Sequence, residues 1–490
     1  MEKREDLVTL YTTLPLYSEI LKQEFIKDFF SDTSHSFIMS IDKSYRGGKR
    51  YTYISKNPQK LFKLFKKNGK FYYEVNGITY EDKGNDFEKV LEEETRKQTN
   101  FKDFPPFYGG LFGYISYEII EKWEEIYHME PNKRFKTSSI PIAYLGLFNN
   151  IIAIDHEEKK LYLIKNLEKE KSENGLLELL KEASLLIEKQ SKTEQASEKS
   201  KYLYIKGLSS NISKEGFLKM VEKAKDHIIA GDIFQIVLSQ KFSFESNIDP
   251  LDLFFALQEE NPSPYMFLIN FPEIKIIGSS PEILVEIKDK KVITRPLAGT
   301  RKRGKNAEED KRIEKELLED QKERAEHVML VDLARNDLGR VCKPGSVKTS
   351  DLMKIEYYPH VMHIASQVEG DLIESKNPID VLKATFPAGT VTGAPKIRAM
   401  ELINDIEKEA RGPYAGAVGY ISFSGDMEMC ITIRSLYLYN GRFHVQAGAG
   451  IVADSNPESE YKETLYKAMG PLKALKRALE KNRIKETIKN

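Results

Sequence analysis

The feature that most constrains the fold is a dense succession of short apolar runs without the helical crossovers of a parallel sheet. Near the end of the chain, AVGYISF, MCITIRSLYLY and RFHVQAGAGIVA follow one another with short breaks. Strands that follow one another in this way pair antiparallel, whereas parallel neighbours need a long, usually helical connection. We therefore predict a mixed α/β fold of the α+β type, in which antiparallel sheets pack as a sandwich with helices outside.

One polar stretch divides the chain, which at 490 residues is long enough for two lobes or one elaborate domain. Apolar residues recur at helical spacing from Leu176 to Ile187, and the following EKQSKTEQASEKSK has no large apolar residue. Such a composition is typical of a linker or a solvated loop. We predict three parts: an N-terminal lobe over 1–188, a linker or loop over 189–204, and a main region over 205–490.

Composition excludes several classes of function. Lys+Arg and Asp+Glu are equal at 75 each, so no global charge favours nucleic acid or an anionic membrane as partner. The first residues lack the apolar core of a signal peptide, and no uncharged apolar run reaches about 18 residues. Cys342 and Cys430 have no metal-binding spacing and read as small buried side chains. We expect a soluble, cytoplasmic protein.

Two helices of the main region can be placed from local patterns. Ser213 is a plausible N-cap for a helix whose apolar face carries Phe217, Val221, Ala224 and Ile228. Residues 307–338 are predicted to form one long charged helix, and the apolar content of its C-terminal half predicts that this half is buried.

Two glutamate pairs share one spacing within predicted helices. Glu323 and Glu326 lie in KERAEHVML, and Glu460 and Glu463 lie in ESEYKETLY. The i, i+3 spacing places both carboxylates of a pair on one helix face. The first pair precedes the apolar HVMLVDLA, where carboxylates entering a core need partners or a cation. Such oxygens, completed by water and substrate, suit Mg2+, although two solvated helix faces remain the open alternative.

The segments between these pairs favour an anionic small molecule. QAGAGIVADS formally matches G-x-G-x-x-A, but Pro457 interrupts the following helix, so we interpret its small residues as a place of close backbone approach to a ligand. FPAGTVTGAPK lacks a P-loop ending, yet offers N–H groups before a helix. His363 by itself more often reads as a core residue. Arg434, in a predicted strand interior, needs a carboxylate or phosphate to pair with.

Six segments resemble the chorismate-utilising enzyme family, and within it the large subunits (component I) of anthranilate synthases. They are RPLAGTRKRG (295–304), ERAEHVMLVDLARNDLGRV (323–341), VMHIASQVEG (361–370), TFPAGTVTGAPKIRAMELI (385–403), GPYAGAVGYISFSGDMEMCITIRS (412–435) and VQAGAGIVADSNPESEYKET (445–464). PPFYGGLFGYISYE extends the resemblance more thinly to the N-terminal part. The resemblance implies the chorismate-binding enzyme fold, with a regulatory lobe over 1–188 and the catalytic region over 205–490.

The resemblance implies a lyase of tryptophan biosynthesis that converts chorismate and ammonia to anthranilate and pyruvate. It also implies that Mg2+ bridges a substrate carboxylate to Glu326 and Glu463, with Glu323 and Glu460 nearby. Chorismate would be held by a larger set that the same resemblance names: Gly299, Thr300, Tyr414, Arg434, Gly448, Ala449, Gly450 and Lys467.

The catalytic roles follow from the same resemblance. Glu282 occupies the place of the general acid that protonates the departing C4 hydroxyl as ammonia attacks C2. His363 and Thr390 would orient the ring and the enolpyruvyl group, while Tyr414 and Arg434 act on the carboxylates. Gln235 stands where water-adding relatives carry a lysine base, and ammonia needs no such base.

Two alternatives stay open. Ala298 stands where aminodeoxychorismate synthases of the folate pathway often carry a lysine nucleophile, but some of them lack it. An aminodeoxychorismate synthase component I is therefore the first alternative. A catalytically inactive, tryptophan-binding regulatory subunit is the second.

The resemblance also implies regulation and a partner. Tryptophan inhibits such enzymes at a pocket that here would contain Ser40 of FIMS and the residues Pro264, Tyr265 and Met266 of NPSPYMF. Met39 replaces the glutamate of the first motif. Because neither cysteine sits in a glutaminase nucleophile motif, we expect ammonia to come from a separate glutamine amidotransferase subunit, component II.

Overall fold

The computed structural model of the chain describes residues 7–16, 23–31, 33–95, 101, 104–124, 139–191, 203–358 and 361–489. The strands are β1 (Leu7–Pro15), β2 (Ser36–Asp42), β3 (Arg50–Lys56), β4 (Lys60–Lys67), β5 (Lys70–Val75), β6 (Ile78–Glu81), β7 (Gly110–Ile115), β8 (Ala143–Phe148), β9 (Asn150–Asp155), β10 (Lys160–Glu168), β11 (Ile205–Ser210), β12 (Gln235–Ser246), β13 (Tyr265–Asn270), β14 (Ile274–Ser280), β15 (Ile283–Lys288), β16 (Lys291–Thr294), β17 (Leu297–Lys302), β18 (Lys348–Tyr357), β19 (Val361–Asp371), β20 (Gly393–Ala394), β21 (Ala417–Ser422), β22 (Met427–Ile431), β23 (Ser435–Tyr439) and β24 (Arg442–Ile451). The α-helices are α1 (Gln23–Phe30), α2 (Asp86–Glu94), α3 (Ile120–Trp123), α4 (Ser172–Ser191), α5 (Lys214–Ile229), α6 (Pro250–Glu260), α7 (Ala307–Glu319), α8 (Gln321–Gly339), α9 (Pro378–Thr385), α10 (Lys396–Ile406) and α11 (Pro457–Lys489).

These strands form two 12-stranded sheets. The first has the order β1-β10-β9-β3-β2-β13-β14-β23-β24-β12-β11, with β20 beside β12. The second has the order β17-β19-β16-β15-β22-β21-β7-β8-β4-β5-β6, with β18 beside β19. Every pairing between the described strands is antiparallel, which confirms the predicted class of sheet.

The two sheets pack face to face, and helices cover them. Phe37 of β2 stacks on Phe112 of β7 with ring centroids 3.7 Å apart, which joins the inner faces of the two sheets. Because side chains alternate along a strand, Ile38 points the other way and joins a second apolar cluster with Phe254 of α6. Leu317 of α7 covers the outer face of the second sheet. The predicted sandwich with helices outside is confirmed.

Both sheets contain strands from each side of the predicted linker. In the first sheet, β2 pairs with β13, and in the second, β7 pairs with β21. Helix α4 extends to Ser191, and residues 192–202 of the predicted linker lie outside the described part of the chain. The division at 189–204 remains a prediction, and the two regions that it separates share their sheets and their core.

One helix prediction is confirmed and one is corrected. Ser213 caps α5 by accepting a hydrogen bond from the Gly216 N–H at 3.1 Å. The single helix predicted over 307–338 is wrong, because the chain turns extended at Asp320, whose carboxylate caps a new helix, α8. Consequently Glu323 lies in the first turn of α8, where the positive end of the helix dipole favours a carboxylate. In the described residues, no helix is both long and apolar enough to cross a membrane.

Candidate active site

A cavity of about 670 Å³ brings together residues from distant parts of the chain. Its walls come from β12, β17, β19, β24, α8, α11 and the loops beside them. The predicted site residues that line it are Glu282, Gly299, Thr300, Glu323, Glu326, His363, Thr390, Tyr414, Arg434, Gly448, Gly450, Glu460, Glu463 and Lys467. Ala449 lies between the two glycines of β24 and points the opposite way into the core, fully buried.

The four glutamates of the two helical pairs face this cavity with different partners. Glu326 accepts a hydrogen bond from the Gln235 amide at 2.9 Å. Burial raises the pKa of Glu326, and the charges of Glu323 and Glu463 add to the rise. Glu323 pairs with Arg301 at 2.9 Å, and Glu463 pairs with Lys467 at 2.6 Å. Glu326 is thus a half-buried carboxylate that faces like charges and has a neutral amide as its hydrogen-bond donor.

Glu326 and Glu463 could hold a magnesium ion only together with water and substrate ligands. Across the described ranges, no three acidic, histidine or cysteine side chains are gathered closely enough to form a metal site by themselves. Mg2+ commonly takes one or two protein carboxylates and fills its octahedron with water and substrate oxygens. The pKa of Glu326 is raised mainly by burial, and a cation beside Glu326 and Glu463 would offset the smaller contribution from carboxylate repulsion.

Arg434 lies where the chain crosses from one sheet to the other. The predicted strand CITIRSLYLY is wrong as a single strand, since β22 belongs to the second sheet and β23 to the first. Arg434 takes a left-handed φ of 53° at this crossover. Its guanidinium forms no ion pair within the described part of the chain, and burial lowers its pKa. An unpaired cation on a cavity wall is suited to an anionic ligand.

Tyr414 and Lys467 lie on the same cavity wall as Arg434, which we call the cationic wall. A Cβ on Gly448 would lie 2.6 Å from the Tyr414 hydroxyl, so only glycine allows this close approach. The Lys467 ammonium donates to the Gly448 carbonyl at 3.0 Å. Burial raises the pKa of Tyr414 to about 12, which keeps its hydroxyl protonated as a donor. Together with Arg434, these groups offer several donors to one carboxylate.

The remaining wall carries a carboxyl and an imidazole with shifted proton affinities. Burial raises the pKa of Glu282 to about 7, against lowering contributions from the Thr390 hydroxyl and Arg434. The Thr390 hydroxyl lies beside the Glu282 carboxyl, and among the described residues it forms no hydrogen bond of regular geometry. Burial lowers the pKa of His363 to about 4, and its Nδ1 lies 3.0 Å from the Thr300 hydroxyl. At neutral pH a carboxyl that is about half protonated and a neutral imidazole therefore face the same space.

Comparison with known proteins decides the family. The sequence model of the chorismate binding enzyme family matches residues 44–473 of the chain. The chain belongs to the chorismate-binding enzyme family.

Individual members of this family resemble the chain over most of its length. It is 42% identical over 492 residues to the anthranilate synthase component 1 of Acetivibrio thermocellus, covering 97% of each chain. It is 40% identical over 404 residues to the aminodeoxychorismate synthase component 1 of Bacillus subtilis, covering 81% of this chain and 82% of that one. The crystal structure of anthranilate synthase component I from Streptococcus pneumoniae matches with a TM-score of 0.75 at 38% identity, covering 87% of this chain and 92% of that one.

Several cavity residues of this family member escaped the sequence analysis. Tyr466 lies three residues after Glu463, so extending the i, i+3 pattern of the glutamate pair would have found it. Tyr358 also lines the cavity, and its ring meets that of His363 edge to face at 5.5 Å. No local pattern marks Tyr358. Lys396, the last residue of FPAGTVTGAPK, does not line the cavity and donates to buried Asp337 at 2.7 Å.

The predicted effector residues Ser40, Pro264, Tyr265 and Met266 lie on or beside the neighbouring strands β2 and β13, and their side chains point to both faces of the first sheet. Ser40 of β2 is directly opposite Met266 of β13, and both are buried. The Pro264 carbonyl accepts from the Asp42 N–H at 2.8 Å. Tyr265 points to the other face, where its hydroxyl donates to Glu428 at 3.0 Å.

Glu428 belongs to a second cavity of about 520 Å³. Here two buried carboxylates share cations from the β2–β3 connection. Lys43 lies 2.7 Å from Glu286 and 2.8 Å from Glu428, and Arg46 lies 3.2 Å from Glu286. Aromatic side chains complete the walls: Tyr51, Tyr53, Phe101, Phe104, Tyr108 and Tyr420. The second cavity thus combines paired charges with an aromatic surface.

Proposed function

We propose that this chain is the chorismate-converting component of an anthranilate synthase, which makes anthranilate and pyruvate from chorismate and ammonia. The observation that carries the proposal is one cavity that contains a half-buried cation without an ion-pair partner among the described residues, Arg434, a facing group of carboxylates, and an acid, Glu282, whose pKa is about 7. Similarity over nearly the whole length to an anthranilate synthase component 1 supports it.

The cavity can hold a dicarboxylate in one orientation. One carboxylate pairs with Arg434 and accepts hydrogen bonds from Tyr414 and Lys467. The other end of the substrate lies toward Glu326 and Glu463, which would hold Mg2+. When bound, Mg2+ supplies charge neutralisation of a substrate carboxylate and electron withdrawal from the ring.

Glu282 supplies the proton that the leaving hydroxyl needs. With a pKa of about 7, much of its carboxyl is protonated near neutrality. The C2–N bond forms as the C4–O bond breaks, the hydroxyl accepts the Glu282 proton and leaves as water, and the new C2 ammonium group releases one proton, which restores protonated Glu282. Loss of the C2 hydrogen and of the C3 enolpyruvyl group then gives anthranilate and pyruvate. His363, neutral at this pH, and Thr390 orient the ring and the enolpyruvyl group.

Aminodeoxychorismate synthesis is the second candidate. A relative of that name is 40% identical over 81% of this chain. Ala298 lines the cavity and has no nucleophile with which to form a covalent intermediate. The Gln235 amide binds Glu326, and it offers no base that would activate water. These two residues favour direct amination, followed by loss of pyruvate.

The proposal includes a partner, an effector and a compartment. Ammonia is delivered by a separate glutamine amidotransferase subunit, in keeping with the name "component 1" of the relatives. Tryptophan inhibits the enzyme at a site formed around Ser40, Pro264, Tyr265 and Met266 beside the second cavity, whose aromatic and paired charged groups suit an aromatic amino acid. Synthesis takes place in the cytoplasm.

Incubation of the protein with chorismate, MgCl2 and ammonium tests the proposal. We expect anthranilate, detected by fluorescence and mass, together with one pyruvate per anthranilate. A product that retains the enolpyruvyl group would identify aminodeoxychorismate synthesis instead. Absence of turnover with tryptophan binding intact would identify a regulatory subunit. The same assay with added tryptophan tests feedback inhibition.

A further inference from the structure

A fully buried guanidinium, that of Arg411, lies behind the cavity without lining it. It forms two hydrogen bonds to the Glu407 carboxylate, at 2.7 and 3.0 Å. It also donates to the carbonyls of Val391 and Val237, both at 2.7 Å. Val391 and Val237 themselves line the cavity, one beside Thr390 and the other on β12. Arg411 therefore joins two cavity walls from outside.

The same guanidinium contacts two aromatic rings. It lies 4.6 Å from the centroid of Tyr117 and 5.6 Å from that of Tyr414. Tyr414 is the residue whose hydroxyl approaches Gly448 at the cationic wall. The planar guanidinium can donate along its edge while its face meets a ring, which a lysine ammonium cannot do.

Glu407 connects Arg411 to β24, the strand that carries Gly448 and Gly450. Its carboxylate accepts from the backbone N–H and the hydroxyl of Ser239, both at 2.9 Å. The Ser239 hydroxyl in turn accepts from the Gln446 amide at 2.9 Å. Gln446 lies on β24, two residues before Gly448. The chain of contacts thus ends at the strand that carries the cavity glycines.

We propose that the buried Arg411–Glu407 pair is a positioning element that sets the geometry of the chorismate-carboxylate site at Tyr414, Thr390 and Gly448. This inference rests on the proposed function. Arg411 and Glu407 do not touch substrate, and they act by fixing the walls that do. From the N-terminal region, the Glu118 carboxylate accepts from the backbone N–H groups of Arg411 and Gly412 at 2.8 and 2.9 Å, which anchors the segment leading to Tyr414.

The test is Arg411→Lys, which keeps the positive charge and removes the planar guanidinium with its several donors. A lysine cannot reach Glu407, Val391 and Val237 together, so the walls relax relative to one another. Because a misplacement of about 1 Å at a site can cost about 10²-fold, we expect the Michaelis constant for chorismate to rise at least about tenfold. The Michaelis constant for ammonium should stay within about twofold, because no ammonium-binding group is involved.

A matched buried ion pair away from the cavity supplies the control. Lys122 lies 2.7 Å from Glu88 and 3.2 Å from Asp82, and these groups are almost fully buried. Lys122→Met should lower the unfolding midpoint and leave the Michaelis constant for chorismate unchanged. If Arg411→Lys folds and binds chorismate normally, or if both variants shift the constant equally, the inference is wrong.

Ser239→Ala is the second variant, should Arg411→Lys fail to fold. It keeps the ion pair and removes the acceptor of Gln446, so the Michaelis constant for chorismate should rise several-fold with little loss of stability. An unchanged constant in this variant would contradict the inference. Absence of turnover in the unmodified protein would contradict the proposed function instead, and chorismate binding by calorimetry would then compare the same variants.

Discussion

The two cavities bury charged groups of the same kinds but neutralise them differently. In the second cavity, burial opposes the ionisation of Glu286, but Lys43 and Arg46 hold the pKa of this carboxyl below its usual value. Burial raises the pKa of the neighbouring Glu428. In the active-site cavity, Arg434 has no ion-pair partner among the described residues, and burial raises the pKa of Glu326. Charges that are paired within the fold become costly only when one partner is removed, whereas a charge without a counter-charge is suited to a ligand of opposite sign. This difference is the basis on which we propose the active-site cavity as the place where substrate and cation bind.

The largest expected effect is that of Glu326→Gln on activity. Loss of a pre-organised charge at the reacting centre costs about 10²- to 10³-fold in rate, and excess Mg2+ should restore only part of it. Since the raised pKa means that the ionised form is disfavoured in the fold, the unfolding midpoint at pH 7 should not fall.

Glu286→Gln is the matched control for this change. The lowered pKa of Glu286 means that its ionised form stabilises the fold above the unfolded-state pKa, and that this stabilisation is lost as the pH falls. The variant should therefore unfold at a lower temperature and keep its chorismate turnover. Normal turnover in Glu326→Gln would show that the metal assignment is wrong.

Lys43→Met should produce the largest loss of stability. It leaves two buried carboxylates without their shared cation, and breaking a buried pair costs about 3 to 5 kcal/mol in the free energy of unfolding. Arg442 and Glu245 form an ion pair of 2.7 Å in which both side chains are exposed, so Arg442→Met should cost less than about 1 kcal/mol. Denaturant titration measures both. Equal losses would show that the Lys43 cluster is not a stabilising one.

Arg434→Met should have the opposite signature to Lys43→Met. Chorismate binding should weaken by about 2 kcal/mol or more, because a substrate carboxylate loses its charged donor. Stability should rise or stay constant, since a half-buried cation that forms no ion pair among the described residues is removed. Calorimetric titration with chorismate and thermal unfolding check the two parts. A marked loss of stability without loss of binding would assign Arg434 to structure.

A smaller effect is expected from pH. With a pKa of about 7, Glu282 loses its proton as the pH rises, so kcat/KM at constant free ammonia should fall about fivefold from pH 7 to 8. Because this pKa is raised on folding, the stabilisation from Glu282 is complete below its unfolded value and is lost as the pH rises through about 7. A flat profile between pH 6 and 8 would exclude Glu282 as the general acid.

Much of the fold and site could be predicted because the informative patterns are local. Apolar runs such as that of β12 and the N-cap Ser213 fix their own elements. The motif spellings matched residues that the structure gathers into one cavity. The break at Asp320 was missed, although Asp320 followed by Glu323 has the spacing of a capping box.

The remaining features depend on contacts between distant parts of the chain. No local pattern shows that β22 and β23 belong to different sheets, and this crossover is what exposes Arg434 to the cavity. Lys396 is paired by Asp337, 59 residues away. The compensation of Glu286 and Glu428 by Lys43 joins residues more than 240 positions apart. Only the folded chain distinguishes a paired from an unpaired buried charge.

The most direct test is to measure the affinity for chorismate with and without Mg2+. It tests whether Arg434 binds a substrate carboxylate and Glu326 binds a cation. Glu282→Gln, which lacks the proton donor, should bind chorismate without consuming it. We predict that Mg2+ tightens this binding by at least about tenfold, a difference of about 1.4 kcal/mol, and that adding Glu326→Gln abolishes the difference. Equal affinity with and without Mg2+, or an undiminished Mg2+ effect in the double variant, would contradict this assignment.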